Sequence, residues 1–167
     1  GVAPLVGVGY NQGGICIYGP LETIRLGGDE LYIDDVCFGS FAVRPGLASS
    51  QSEGTGTQDC ESFVDFDQAP YTGAQWSASS GLSPGDLMFE EGGYEFTLSP
   101  LTLGGGSTTL NKVEIVPGPF PAIVNDGLRF NNAAFKAGPS SGPVTDHISF
   151  FYSYGGGVNM LELNSVL

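Results

Sequence analysis

Ten short apolar runs, each closed off by Gly, Pro, Asn or Asp, follow one another along this chain, and none of them repeats with the 3.6-residue period of a helix. That rhythm is the strongest constraint on the fold. It predicts strands at 14–19 (GICIYG), 21–27 (LETIRLG), 30–38 (ELYIDDVCF), 61–67 (ESFVDFD), 86–91 (DLMFEE), 94–99 (YEFTLS), 111–117 (NKVEIVP), 127–132 (GLRFNN), 147–154 (HISFFYSY) and 158–165 (VNMLELNS). No helix longer than about two turns is expected. Several runs alternate, as Leu31 and Ile33 do before Asp34 and Asp35, and as Met160 does against Leu161 and Leu163. Alternation puts one face in a core and the other in water. So many short strands in 167 residues predict an all-β chain, two antiparallel sheets packed as a β-sandwich or jelly roll.

The punctuation is equally specific. SPGD at 83–86 predicts a turn in which Pro fixes the first φ and Gly supplies the second. NDG at 125–127 and GGG at 155–157 predict tight hairpins. One stretch breaks the rhythm: 44–59, rich in Ser, Thr, Gly and Gln, reads as a linker or long loop. The expected organisation is a short piece, 1–38, a flexible segment, 39–59, and a long piece, 60–167.

Composition narrows the function. With 5 basic and 18 acidic residues the net charge is −13, so partners recognised through phosphates, nucleic acid and anionic membrane alike, are excluded. No run approaches the ~18 apolar residues of a membrane helix. Only Lys112 and Lys136 carry amines, and Gly, Ser and Thr abound; the expected location is extracellular or at the cell surface, where a disulfide persists. Three cysteines, Cys16, Cys37 and Cys60, have no zinc-site spacing and predict one disulfide and one odd thiol.

The long piece, with CESFVDFD, SPGDLMFEEGGYEFTL, LRFNNAAF and HISFFYSYGGGVNMLELNS, resembles the body of a secreted bacterial jelly-roll module of the galactose-binding-like type. The short piece, with ICIYGPLETIRLGGDELYIDDVCF, resembles the strands that finish such a module, so the strand order is rotated. Three arrangements would account for the rotation. The short piece folds back on its own body as in a circular permutant, or completes a neighbouring copy by strand exchange along a fibre, or belongs to one unit of a tandem array. The apolar start GVAPLVGVGY and end NMLELNSVL favour the intermolecular arrangements.

If the IDDV and VDFD strands are neighbours, as the resemblance implies, Asp34, Asp35, Asp65 and Asp67 meet at one end and offer hard oxygens suited to Ca²⁺. The same module type carries a structural calcium near such a place. That neighbourhood also implies a Cys37–Cys60 disulfide, within or between chains, with Cys16–Cys37 as the rival pairing. A glycosidase pair from Glu90 and Glu91, or from Glu114 and Glu162, has no cleft signal behind it, and His147 lies beside no nucleophile elbow. No catalysis is expected. Sugar binding needs exposed rings, for which Trp76 and Tyr71 are the leading candidates, with Tyr94, Tyr152 and Tyr154 behind them. The leading expectation is a secreted structural or adhesive subunit of a fibre or surface array, its partners copies of itself; the alternative is a non-catalytic carbohydrate-binding module with a polysaccharide partner.

Overall fold

The computed structural model describes residues 2–4, 11–39, 62–67, 70–117, 126–140 and 145–165. Fourteen strands are found among them: β1 Val2–Pro4, β2 Asn11–Gly28, β3 Leu31–Gly39, β4 Ser62–Val64, β5 Gln75–Ser77, β6 Leu87–Glu91, β7 Tyr94–Ser99, β8 Leu101–Thr102, β9 Thr108–Thr109, β10 Lys112–Pro117, β11 Asp126–Asn131, β12 Ala133–Pro139, β13 Thr145–Tyr154 and β14 Asn159–Ser165. The helical content of the described residues is a single 3₁₀ turn, Ala78–Ser80, capped by Ser77. The chain is all-β, and every pairing is antiparallel.

One strand organises the whole. The first half of β2 pairs with β13 from Asn11 to Tyr18, and its second half lies between β12 and β14 from Ile24 to Gly28. Eighteen extended residues would reach about 60 Å. Yet Tyr154 pairs with both Asn11 and Leu31, three residues beyond Gly28, so both ends of β2 lie at the same end of the molecule. The strand therefore doubles back, and it does so at Gly19–Pro20, where Gly19 has φ 133° and the register against β13 slips. A positive φ next to a proline is a local geometry that Gly alone adopts cheaply.

The bend divides the strands into two facing layers. One runs β5-β10-β11-β3-β13 and ends on the first half of β2; the other runs β1-β14, the second half of β2, then β12-β7-β6. Together they form a barrel-like sandwich. Between them lie Phe38, Phe66, Phe96, Phe130 and Phe135, each almost fully buried, with rings in contact: Phe89 stacks on Phe96 at 4.4 Å and Phe38 on Tyr94 at 4.2 Å. Burial of each such side chain contributes about 1.5–3 kcal/mol. The hairpin of β8 and β9 covers the outside of the second layer, where Leu101, Ala134 and Met160 form a small satellite core. Gly27 is required there, since a Cβ would stand 2.3 Å from the Ala133 carbonyl oxygen.

The turn chemistry meets three different fates. At SPGD the Asp86 N–H donates to the Ser83 carbonyl at 3.0 Å and Gly85 has φ 93°, the type of turn its residues predict. NDG is not a tight hairpin: Asp126 and Gly127 already belong to β11, paired with Pro117 and Val116 of β10. GGG supplies positive φ at Gly156 and Gly157, but it joins β13 to β14, which belong to opposite layers. Residues 40–61, which include the expected loop 44–59 and Cys60, lie outside the described residues.

The strands of the short piece pair with strands of the long piece: β2 with β12, β13 and β14, and β3 with β4, β11 and β13. β3 and the second half of β2 occupy interior positions in the two layers.

Candidate functional site

Along one edge β3 is continuously paired with β13, but along the other it changes partner. Leu31, Tyr32 and Ile33 pair with β11; Val36, Cys37 and Phe38 pair with β4. Asp34 and Asp35 occupy the handover. Here the register against β13 slips between Ser149 and Phe151, and Asp35 has φ 52°, a left-handed conformation for which Asp is one of the more tolerant side chains. The bulge breaks the alternation, so Ile33, Asp34 and Val36 are all buried.

The chain leaving β4 supplies the other acids. Asp65 Oδ1 accepts the Asp67 N–H at 2.9 Å, closing a small turn, and Asp67 Oδ1 accepts the Asp126 N–H at the start of β11 at 2.7 Å. Carboxylate oxygens of Asp34, Asp35 and Asp65 come within 4.8 Å of one another. Two oxygens bound to one Ca²⁺ at about 2.4 Å are at most ~4.8 Å apart, so the three carboxylates are candidates to share one ion. Asp67 stands beside them, near enough to act on the charges of both Asp34 and Asp35.

The electrostatics express crowding. Asp34 is 4% exposed; burial first, then repulsion from Asp35, pushes its carboxyl up to about 7, partly opposed by the Asp35 N–H that donates to its Oδ1 at 2.9 Å. Burial, and then repulsion from Asp65 and Asp67, also raises Asp35. A divalent cation would remove both penalties by supplying the missing positive charge.

The structure thus brings Asp34, Asp35, Asp65 and Asp67 to one corner. It treats the aromatic candidates differently. Tyr71 is 5% exposed, its ring edge-on to Phe66 and Phe89 and its hydroxyl donating to Glu91 at 2.7 Å, while Trp76 is half-buried, lies 5.3 Å from Phe89 and donates its Nε1–H to the Met88 carbonyl. Both rings are spent on packing. Tyr94 and Tyr154 are buried as well. Glu114 meets Lys112 at 2.8 Å and Arg129 at 3.4 Å, whereas Glu162 meets Arg25 at 3.2 Å on the opposite layer; the two do not flank a common cleft. The small space bounded by Leu21, Ile24, Phe38, Ala137 and Ile148 measures about 10 Å³, room for one water and far below the ~300–1,000 Å³ of a ligand pocket.

Cys16 is a free, exposed thiol. Cys16 and Cys37 flank Ser149 of β13 from its two sides, two strand spacings or about 9.6 Å apart, which is beyond the ~7 Å a disulfide bridges. The rival Cys16–Cys37 pairing is thereby removed, while Cys60 lies outside the described residues.

The bulge at Asp35 and the Asp126 amide escaped the reading of the sequence. The first had a signal, the two acids that set Ile33 and Val36 three residues apart in an alternating strand. The second had none. Set against protein-family models, curated proteins and solved structures, the chain matches none of them.

Proposed function

We propose that this chain is a non-catalytic structural or adhesive module of the extracellular space, in which residues 11–39 are the completing strands of a jelly roll and a calcium ion clamps them to the body. The observation that carries the reading is the origin of the four acids. Asp34 and Asp35 come from β3, and Asp65 and Asp67 from the chain that leaves β4, so one ion would hold together two segments that are far apart in connection but adjacent in space. A Cys37–Cys60 disulfide would tie the same two segments covalently.

In a fibre, residues 1–38 of one copy complete the body, 60–167, of the next, through the same pairings that β2 and β3 make within one chain, with 39–59 as the linker. The interior position of β3 and of the second half of β2 supports this: a body without them has a slot in each layer. The galactose-binding-like resemblance and the calcium come from the same short motifs and stand together.

The test uses the purified chain and a body of residues 40–167. Electron microscopy and light scattering should find calcium-dependent polymers of the full chain. The isolated body should be insoluble until a peptide of residues 11–39 is added. A full chain that stays monomeric with and without Ca²⁺, together with a soluble body indifferent to the peptide, would overturn the reading. Peptide mapping without reductant should recover Cys37 linked to Cys60.

A further inference from the structure

The hairpin of β8 and β9 stands apart from the two layers. Between Ser99, the end of β7, and Lys112, the start of β10, the chain folds back over the outside of the second layer as a two-stranded sheet with two residue pairs, Leu101 with Thr109 and Thr102 with Thr108. Among the described residues β8 and β9 pair with no other strand. A lone hairpin is marginally stable at best in water, so this one keeps its shape through what it lies on.

What it lies on is small. Ala134, Gly27 and Met160 stand directly across from one another on β12, the second half of β2 and β14. Leu101, fully buried, packs with Ala134 and Met160, and Leu103 lies half-buried beside them. These residues form a cluster of their own, separate from the core between the layers. The other side of the hairpin is in water: Thr102 and residues 104–108 are exposed.

One side chain joins the hairpin to the sheet. Arg25 of β2 meets Glu162 of β14 through Nη1 at 3.2 Å, while its Nη2 donates to the Pro100 carbonyl at 3.2 Å, to the Thr102 hydroxyl at 2.9 Å and to Met160 Sδ at 3.4 Å. A planar guanidinium can grip two bodies at once in this way. Both ends of the segment are anchored elsewhere: Ser99 pairs with Ala134 in the sheet, Leu110 packs on the main core, and the Asn111 N–H donates to the Asn132 carbonyl at 2.9 Å. Gly105 and Gly106, with φ of 86° and 83°, turn the tip.

We propose that residues 100–109 are a strap that opens and recloses as a unit over the outside of β2 and β14, with Arg25 as its latch. Opening undoes the Leu101 cluster and the bonds from Arg25 to the strap, and leaves every pairing of the large sheet in place, the condition for a local opening that costs less than global unfolding. It also returns to water the Nε–H of Arg25, which is buried and, among the described residues, has no acceptor. What it uncovers is the outer side of the second half of β2. The closed strap therefore holds that strand in the sheet from outside, and this role does not depend on the fibre reading: where residues 1–38 come from another copy, the strap of the body closes over the completing strand in the same way.

The experiment uses the two methionines of the full chain. Met160 lies under the strap and is 4% exposed, whereas Met88 lies in the main core and is 9% exposed. Dilute hydrogen peroxide converts a methionine that reaches solvent to its sulfoxide, and peptide mass mapping follows each site separately. In the wild type, Met160 should oxidise at a rate that barely changes with urea below the unfolding transition. Thr102→Val keeps the shape of an exposed residue and removes the acceptor, so Met160 should oxidise roughly tenfold faster, the usual worth of a hydrogen bond to a charged group, with Met88 unchanged. Leu101→Ala should accelerate Met160 further, again without Met88. Met160 oxidation no faster in Thr102→Val and Leu101→Ala than in the wild type, Met88 accelerating in step with Met160, or a Met160 rate that climbs with urea as steeply as global unfolding would each overturn the proposal.

Discussion

Glu114 and Glu162, both half-buried, each meet a cation across a sheet surface, whereas Asp35 and Asp65, also half-buried, meet the buried Asp34 at a corner. The first arrangement is self-sufficient. Glu162 balances Arg25, whose Nη2 also donates to the Thr102 hydroxyl at 2.9 Å and so fastens β8 to the sheet, and Glu114 shares Lys112 and Arg129 on β10 and β11. At the corner burial and mutual repulsion raise the carboxyls of Asp34 and Asp35. The difference shows that Arg25 and Arg129 tie neighbouring strands laterally, while Asp34, Asp35 and Asp65 crowd one another's charge.

The largest test of that contrast is to supply the charge. At a calcium concentration a hundredfold above Kd the folded state gains about 2.7 kcal/mol, which for a chain of this size is a rise in Tm of roughly 5–10 °C. Mg²⁺ should do much less, since its ~2.1 Å bonds demand a tighter cage than oxygens spread over 4.8 Å. The variant D34N/D35N should lose the calcium response, and calorimetry with chelator against calcium reads it directly.

Proton linkage is the next effect in size. Because the folded-state value of Asp34, about 7, lies above its ordinary 3.8, the stabilisation that it confers is full below pH 4 and is lost as pH rises through 7. The metal-free chain should thus be more stable at pH 5 than at pH 8, by on the order of 2 kcal/mol, and Asp34→Asn should flatten the profile. Calcium affinity should run the other way and strengthen over the same window, because the ion displaces the proton. Denaturant melts across that range decide the sign.

The smallest effect belongs to the paired acids. Glu162→Gln removes a surface pair worth about 0.5 kcal/mol, and its shift in Tm, about 1–2 °C, should vanish in molar salt. A loss equal to that of the corner variants would erase the contrast.

The same contrast marks what the sequence made legible. The corner was readable because two acid pairs, Asp34–Asp35 and Asp65–Asp67, each follow a β-branched run, and strand ends converge where strands pair. The bend in β2 was half-readable: Gly19–Pro20 predicts a break between two strands, but nothing local says that a single strand passes into the other layer. β12 was missed because AAFKAGP is small and polar where strand formers are expected. It is held by the neighbours that bury its face, β2 and β7. Trp76 and Tyr71 could not be placed for a related reason, since a ring in a loop sequence has the same signature whether it faces solvent or closes the end of a core.

The passage of β2 through both layers also has a consequence in time. Its partners β12, β13 and β14 lie more than a hundred residues downstream, so the first layer cannot close until β13 has been made, nor the second until β14 has. From residue 39, where β3 ends, to residue 165, where β14 ends, synthesis at about 5–20 residues per second takes roughly 6–25 s. Until β12 has been made, Ile24 and Leu26, both buried in the finished fold, have none of their partner strands to lie against. A ribosome working on this chain therefore holds an adhesive stretch in the open for longer than most small domains do, and its safe delivery depends on whatever shields nascent apolar segments.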